Sequence, residues 1–335
     1  MSSPEETSDH PSLSVARTVV CAILGLSFAI GVPGNSFVIW TICGQMKERT
    51  PTVVLILHLS IADLLVLVTM PLWIYSFANA WSFGIVACKA LAFVVYCSMY
   101  VSIFLITALS LERFLAVSYP FAAQRWKKKT TPHLVVFLIW FLSIAFGATI
   151  VPFQEMVDTE GGLQCAARSY ENNSQEAACL LLETVVGFIL PFTIISTCYA
   201  CIGRRIGRMT CPSRRRSARL MASVVIAFGL CWFPHHVFNL LSVASLLTED
   251  LHPEASQALG RVAEMGVYIA SSVTFISSCI NPLLYAFAAR NVRSSARFTK
   301  FSKLFEQINP VSRQESPKET PYPNEQEKTT SMEII

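Results

Sequence analysis

The sequence predicts an all-α membrane protein, a seven-transmembrane helix bundle with a short amphipathic membrane-surface helix after the seventh span. Three observations predict it. The chain is 53% hydrophobic and only 14% charged, with a mean hydropathy of +0.49, whereas soluble domains carry roughly 25% charged residues. So large an apolar surplus cannot all be hidden from water in a fold of this size. Seven apolar segments are long enough to cross a hydrocarbon core about 30 Å thick, and Lys and Arg concentrate in alternate links between them.

Residues 1–14 are polar and acidic, with Glu5, Glu6 and Asp9. They lack the basic-then-apolar pattern of a cleaved leader, so they are expected as an extracellular tail, and the first span as a signal anchor. The spans fall near 15–43, 51–78, 85–119, 132–153, 177–207, 215–247 and 260–288. They are helices because a backbone exposed to lipid must satisfy its own hydrogen bonds, and no ten-residue alternation of the barrel kind occurs. In 291–305, Phe298, Phe301, Leu304 and Phe305 recur at helical spacing opposite basic residues, the pattern of a helix lying on a membrane. The bundle with this helix forms one domain, 15–305. Residues 306–335 are polar and proline-bearing and are expected as a disordered cytoplasmic tail rich in Ser and Thr.

Orientation follows from the basic residues. Lys47 and Arg49, then Arg125 and Lys127 to Lys129, then Arg204 through Arg219, then Arg290 through Lys303 fall on one side. The other side has only Arg17, Lys89, Arg168 and Arg261 against many acids. The N-terminus is therefore expected outside and the C-terminus inside, at the plasma membrane. The net charge of +4 is mild, and no nucleic-acid partner is expected. Most of the eleven cysteines lie in apolar stretches, where free Cys acts as a small hydrophobe.

Polar residues inside spans need a reason, since a charge at mid-bilayer costs about 2.5–3.5 kcal/mol on insertion scales. Asp63, Asn35, Ser102, Ser277, Ser278 and Asn281 fall at similar depth. They read either as a hydrated cation site, with sodium the ion, or as a polar knot joining helices. Glu112 and Arg113 end the third span and read as a snorkelling pair or as a latch on Arg113 that releases toward a partner. Pro234 and Pro282 sit deep in the sixth and seventh spans, where each frees a carbonyl and bends its helix. Such a bend serves as a hinge or as a static kink.

Taken in order, Asn35, Leu59-x-x-x-Asp63, Glu112-Arg113, Trp140, Pro191, Cys231-Trp-x-Pro234 and Asn281-Pro-x-x-Tyr285 resemble the rhodopsin-like G-protein-coupled receptors over about 15–305. The resemblance implies a receptor that signals to a heterotrimeric G protein. It implies a switch beneath the ligand at Trp232, a packing trio of Pro191, Ile103 and Phe228, and Tyr199 and Tyr285 as supports of the open state. It favours the allosteric sodium reading and pairs Cys88 with Cys165, with Cys179 as a rival partner. It also implies receptor kinases and arrestin acting on the tail. Phe114 departs from the family, which usually has Tyr there. Asn172-Asn173-Ser174 is a glycosylation sequon on the outer link.

The pocket is expected among the outer halves of the helices. Tyr96, Met99, Tyr100 and Ile103 recur at helical spacing in the third span; for Met99 and Ile103 ordinary packing is the competing reading. Val95 stands where amine receptors carry Asp. His235, His236, Asn239, Glu264 and Tyr268 add polar groups, and Glu183 needs a partner, either a ligand hydroxyl or a nearby His or Arg. Lys89, Arg168 and Arg261 either attract an anionic head group or pair with outer acids. Trp81-Ser-Phe-Gly84, Ser98-Met-Tyr-x-Ser102, Leu182-Glu-Thr184 and Pro234-His-His236 are similar to leukotriene B4 receptors. That resemblance implies a carboxylic hydroxy fatty acid as ligand, Gi-class coupling, and a role in leukocyte chemotaxis and inflammation. Ala92 and Gln154 depart from it, standing where the high-affinity receptor has a histidine and an arginine.

Other classes fit less well. No Lys occurs between Lys129 and Lys300, so a retinal Schiff base in the seventh span is excluded. Neither transporter repeats nor a catalytic constellation is found, so no enzymatic activity and no enzymatic cofactor is expected. The runner-up is a receptor for a chemotactic peptide of formyl-peptide or chemokine-like type, which suits the acid-rich outer face.

Overall fold

The computed structural model describes residues 9–46, 50–119, 130–159, 162–206 and 212–290. The surface helix expected over 291–305 and the tail 306–335 lie outside the described residues. Seven helical spans are apolar and long enough to cross a membrane. Span 1 is Asp9–Gln45. Span 2 is Pro51–Leu67 continued by Met70–Ala78, and span 3 is Gly84–Ser118. Span 4 is Thr130–Ala148. Span 5 joins Asn173–Thr184, a π-helical turn Val185–Ile189, and Leu190–Ile206. Span 6 is Pro212–Thr248 and span 7 is Pro253–Arg290.

The ends differ from the sequence expectation for local reasons. Span 4 stops at Ala148, and 149–153 form turns ahead of the strand, with Pro152 unable to continue the helix. Span 5 begins at Asn173 because the Asn172 Oδ1 caps it, accepting from the Gln175 N–H at 2.8 Å. Span 7 begins at Pro253, a residue suited to the first turn because its missing N–H would be unpaired there anyway. Span 2 breaks at Val68–Thr69, ahead of Pro71, whose ring conflicts with the carbonyl four residues earlier. The Thr69 hydroxyl donates to the Val66 carbonyl at 2.7 Å across that break.

Span 3 packs against spans 2, 4, 5 and 6, and span 7 packs against spans 6, 1 and 2. Close approach relies on small residues, as it must where lipid provides no apolar driving force between helices. A Cβ on Gly147 of span 4 would meet the Cys97 backbone nitrogen of span 3 at 3.0 Å. The lipid-facing surface carries large apolar side chains such as Phe137, Phe141 and Leu230, at home only in hydrocarbon. Between spans 4 and 5 an antiparallel hairpin forms from β1 (Gln154–Thr159) and β2 (Gly162–Arg168), with a register shift between Glu155 and Val157.

Candidate functional site

The hairpin closes one end of the bundle, and three ties hold it. Cys165 of β2 is disulfide-bonded to Cys88 at the head of span 3. The free thiols include Cys179. The Ser76 hydroxyl donates to the Gln164 Oε1 at 3.0 Å, and the Gln164 amide donates to the Asn79 carbonyl at 3.1 Å. The Trp81 N–H donates to the Leu163 carbonyl at 2.6 Å.

Beneath the hairpin lies a cavity of about 670 Å³, within the usual range for small-molecule sites. Its walls are apolar and aromatic on spans 1 to 3, with Val20, Leu24, Trp73, Phe77 and Tyr96. Spans 6 and 7 contribute polar groups, among them Asn239, Ser242, Ser271, Glu264 and Tyr268. Gln154 and Arg168, Cα partners across the hairpin, both line it.

One buried network ties the hairpin to four spans. The Arg168 guanidinium donates from Nη1 to the Glu183 Oε2 at 3.1 Å and lies over the Tyr96 ring, 4.9 Å from its centre. The other Glu183 oxygen lies 2.7 Å from the His235 Nε2 and accepts from the Asn239 amide at 3.1 Å. The His235 Nδ1 in turn lies 3.2 Å from the Ser271 hydroxyl of span 7. Glu183 is therefore paired within the protein by Arg and His. Burial works against the Arg168 charge, but the Glu183 carboxylate and the Tyr170 phenol more than offset it, so its pKa lies above the usual arginine value. Burial pushes the Tyr170 phenol up, against the pull of Arg168.

A second chamber of about 70 Å³ continues downward, lined by Met99, Ser102, Trp232, His235 and Ser277. The Trp232 indole N–H donates to the Ser277 hydroxyl at 3.2 Å, and that hydroxyl donates to the Thr274 carbonyl at 2.6 Å. Phe228 stacks beneath Trp232 at 5.5 Å, in the core that also holds Ile103, Tyr199 and Tyr285. Pro191 opens the lower part of span 5 just beyond the π turn.

Lower still, the Asp63 Oδ2 accepts from the Asn281 amide at 2.9 Å and its Oδ1 from the Ser102 hydroxyl at 3.4 Å. Asn35 instead donates to the carbonyls of Gly31 and Ser278, at 3.0 and 2.9 Å. Its buried Oδ1 has no hydrogen-bond partner among the described residues. At the far end the Arg113 Nε faces the Glu112 carboxylate at 3.3 Å, and its Nη2 donates to the Thr52 hydroxyl at 2.8 Å.

Among the expected ligand contacts, Tyr96, Asn239, Glu264 and Tyr268 line the large cavity, while Met99 and His235 line the small one. Tyr100 and His236 line neither. Tyr100 is buried against Phe104 and Phe146, with ring centres 6.0 and 5.4 Å away. His236 stacks on Phe188 at 4.9 Å. Glu183 reaches the cavity only through Arg168 and Asn239. Of the expected ion ligands, Ser102 and Asn281 meet Asp63, whereas Ser277 is engaged by Trp232 and Asn35 by backbone carbonyls. Nothing in the sequence singles out Thr52, Ser271 or Trp73. Thr and Ser are unremarkable beside a span, and a Trp near a membrane interface is common.

A seven-span bundle with a capped cavity, a buried carboxylate below it and a paired arginine at the opposite end defines a membrane receptor. Residues 34–285 match the family described as 7 transmembrane receptor (rhodopsin family), and the chain belongs to it. Leukotriene B4 receptor 1 of Homo sapiens is 35% identical over 304 residues, 88% of this chain and 84% of that protein. Leukotriene B4 receptor 2 of Mus musculus is 34% identical over 300 residues, covering 87% and 81%. Chemerin-like receptor 2 of Mus musculus is 27% identical over 305 residues, covering 88% and 82%. The chain is thus a multi-pass plasma-membrane receptor with a ligand and a G protein as partners, and its relatives are named as receptors rather than enzymes.

Proposed function

We propose that this receptor answers a lipid chemoattractant, leukotriene B4 or a related hydroxy fatty acid, and couples to Gi-class G proteins in leukocyte chemotaxis and inflammation. One observation carries the reading. The cavity has apolar, aromatic walls on one side and a row of hydroxyl and amide groups on the other, which suits a flexible chain bearing spaced hydroxyls. The names of the leukotriene B4 receptor relatives support it. The hairpin end faces outside, in keeping with the basic links at the Arg113 end.

In this mechanism the ligand binds the active arrangement more tightly than the idle one, and that difference alone moves the population. Pressure from the cavity reaches Trp232 through His235, whose ring lies edge-on to the indole with centres 6.1 Å apart. Span 6 pivots at Pro234, with Pro282 and Tyr285 adjusting span 7, and Arg113 leaves Glu112 and Thr52 to meet the G protein. Asp63, Ser102 and Asn281 offer oxygen ligands that fit an allosteric sodium ion favouring the idle state. Phosphorylation of the tail by receptor kinases recruits arrestin, because clustered phosphates pair with basic residues.

The test expresses the full chain in cells and measures inhibition of cyclic AMP and calcium release. Leukotriene B4 and a set of hydroxy fatty acids are compared with formyl peptides and chemokines. Activation by a hydroxy fatty acid is the expected result. A response confined to the peptides would overturn the lipid reading in favour of the acid-lined mouth, where Glu176 and Glu264 stand.

A further inference from the structure

We infer that Arg168 is the anchor for the ligand's anionic head, and that the head binds by sharing or taking the guanidinium from Glu183. The inference rests on the lipid reading above and deepens it by assigning the polar end of the ligand to one residue. Among the described residues, Arg168 is the only Lys or Arg that lines the large cavity. A guanidinium carries five N–H donors, and the Glu183 carboxylate receives one, from Nη1. The Arg168 side chain keeps 20% of its surface exposed, while that of Glu183 keeps 6%. The cation is reached from the cavity, and its partner is hidden behind it.

Two features make the exchange feasible. Glu183 keeps partners besides Arg168, because His235 and Asn239 hold its other oxygen at 2.7 and 3.1 Å. A carboxylate that surrenders one donor is then not left stranded in a buried site, which is where the large cost would lie. The guanidinium is also held in place. It sits on the Tyr96 ring, and its strand is bolted to span 3 by Cys165, three positions away in β2. A pre-positioned fork of this kind suits a carboxylate, to which it can donate two parallel bonds. Two other carboxylates line the cavity. Glu264 on span 7 is exposed, so water and salt screen its repulsion. Glu176 on span 5 is half-buried and interacts with Arg168, a second counter-charge that the ligand's head must share.

The experiment compares leukotriene B4 with its methyl ester, which keeps the chain and hydroxyls but removes the charge. Nucleotide exchange is measured in membranes bearing epitope-tagged receptor at matched surface levels. In the wild type the acid is expected to be roughly 10- to 100-fold more potent than the ester, the loss typical of a charge-assisted bond. In Arg168→Gln the acid falls to the potency of the ester, and the ester is unchanged. Arg168→Lys regains part of the preference, and Glu183→Gln keeps the acid preference or widens it. Two results would overturn the assignment while leaving the lipid reading intact: an undiminished acid preference in Arg168→Gln, or an equal loss of acid and ester. If neither compound activates a wild type that shows basal exchange, the lipid reading fails and this assignment falls with it.

Discussion

Arg113, near the foot of span 3, donates from Nη2 to the Thr52 hydroxyl at the head of span 2, 2.8 Å away, while its Nε faces Glu112. Both Arg113 and Thr52 are almost fully buried. The arginine is therefore not free to meet a protein partner until this contact opens. The sequence shows only a charged pair at a span end, which snorkelling would explain equally well.

Thr52→Ala should loosen that closure. A hydrogen bond to a charged group contributes about 1.5–3 kcal/mol, and the lower value corresponds to roughly a tenfold shift in an equilibrium. Basal nucleotide exchange should rise by up to that factor in membranes carrying the variant. Arg113→Ala should remove exchange altogether while surface expression persists. An Arg113→Ala receptor that exchanges nucleotide normally would refute the assigned role.

Ser277→Ala should act from the other end of the same mechanism. It strands the Trp232 indole N–H in a buried place, at a cost of about 1–3 kcal/mol. Because that bond joins spans 6 and 7, its loss should raise basal exchange and lower thermal stability. Ser277→Thr keeps the hydroxyl and should behave like the wild type. Identical basal exchange in the alanine and threonine variants would show that the bond does not restrain the switch.

The bundle was legible because lipid demands long apolar helices, and the basic links betray their order. The polar network was legible only in kind, since Glu183 calls for a His or Arg partner without naming which. Arg168 and Glu183 are brought together only by the hairpin's fold, and nothing in their separation suggests a contact. Tyr100 shows how a helical stripe misleads. Successive residues turn by about 100°, so Met99 reaches the lower chamber while Tyr100 turns toward Phe146 of span 4. Asn172 shows the reverse case. Its sequon marks it for glycosylation, whereas in the structure its side chain caps span 5.

Removing the bridge with Cys88→Ser and Cys165→Ser together should lower stability by about 2–4 kcal/mol. It should also weaken ligand binding, since Gln154 and Arg168 ride on the tethered hairpin. Thermal unfolding of purified receptor in detergent, with and without reductant, measures the first effect, and saturation binding measures the second. A receptor with unchanged binding would mean that the Ser76, Gln164 and Trp81 contacts alone hold the hairpin in place.

Asp63 presents a buried carboxylate that accepts from Asn281 and Ser102, and no Lys, Arg or His pairs with it among the described residues. A buried charge without a counterion is costly, and a small cation among these oxygens would relieve that cost. If such an ion is gripped more tightly in the idle arrangement, it should oppose activation. Replacing potassium by sodium at constant ionic strength should therefore lower basal exchange in the wild type, by about fivefold if the coupling lies at the low end of the usual range. It should also raise thermal stability. Asp63→Asn removes the charge but keeps a similar shape, so both responses to sodium should vanish. The stability readout guards against a variant that merely fails to couple. A wild-type receptor indifferent to the exchange of cations, in both measurements, would leave Asp63 as a hydrogen-bonded knot between spans 2, 3 and 7 and no ion site at all.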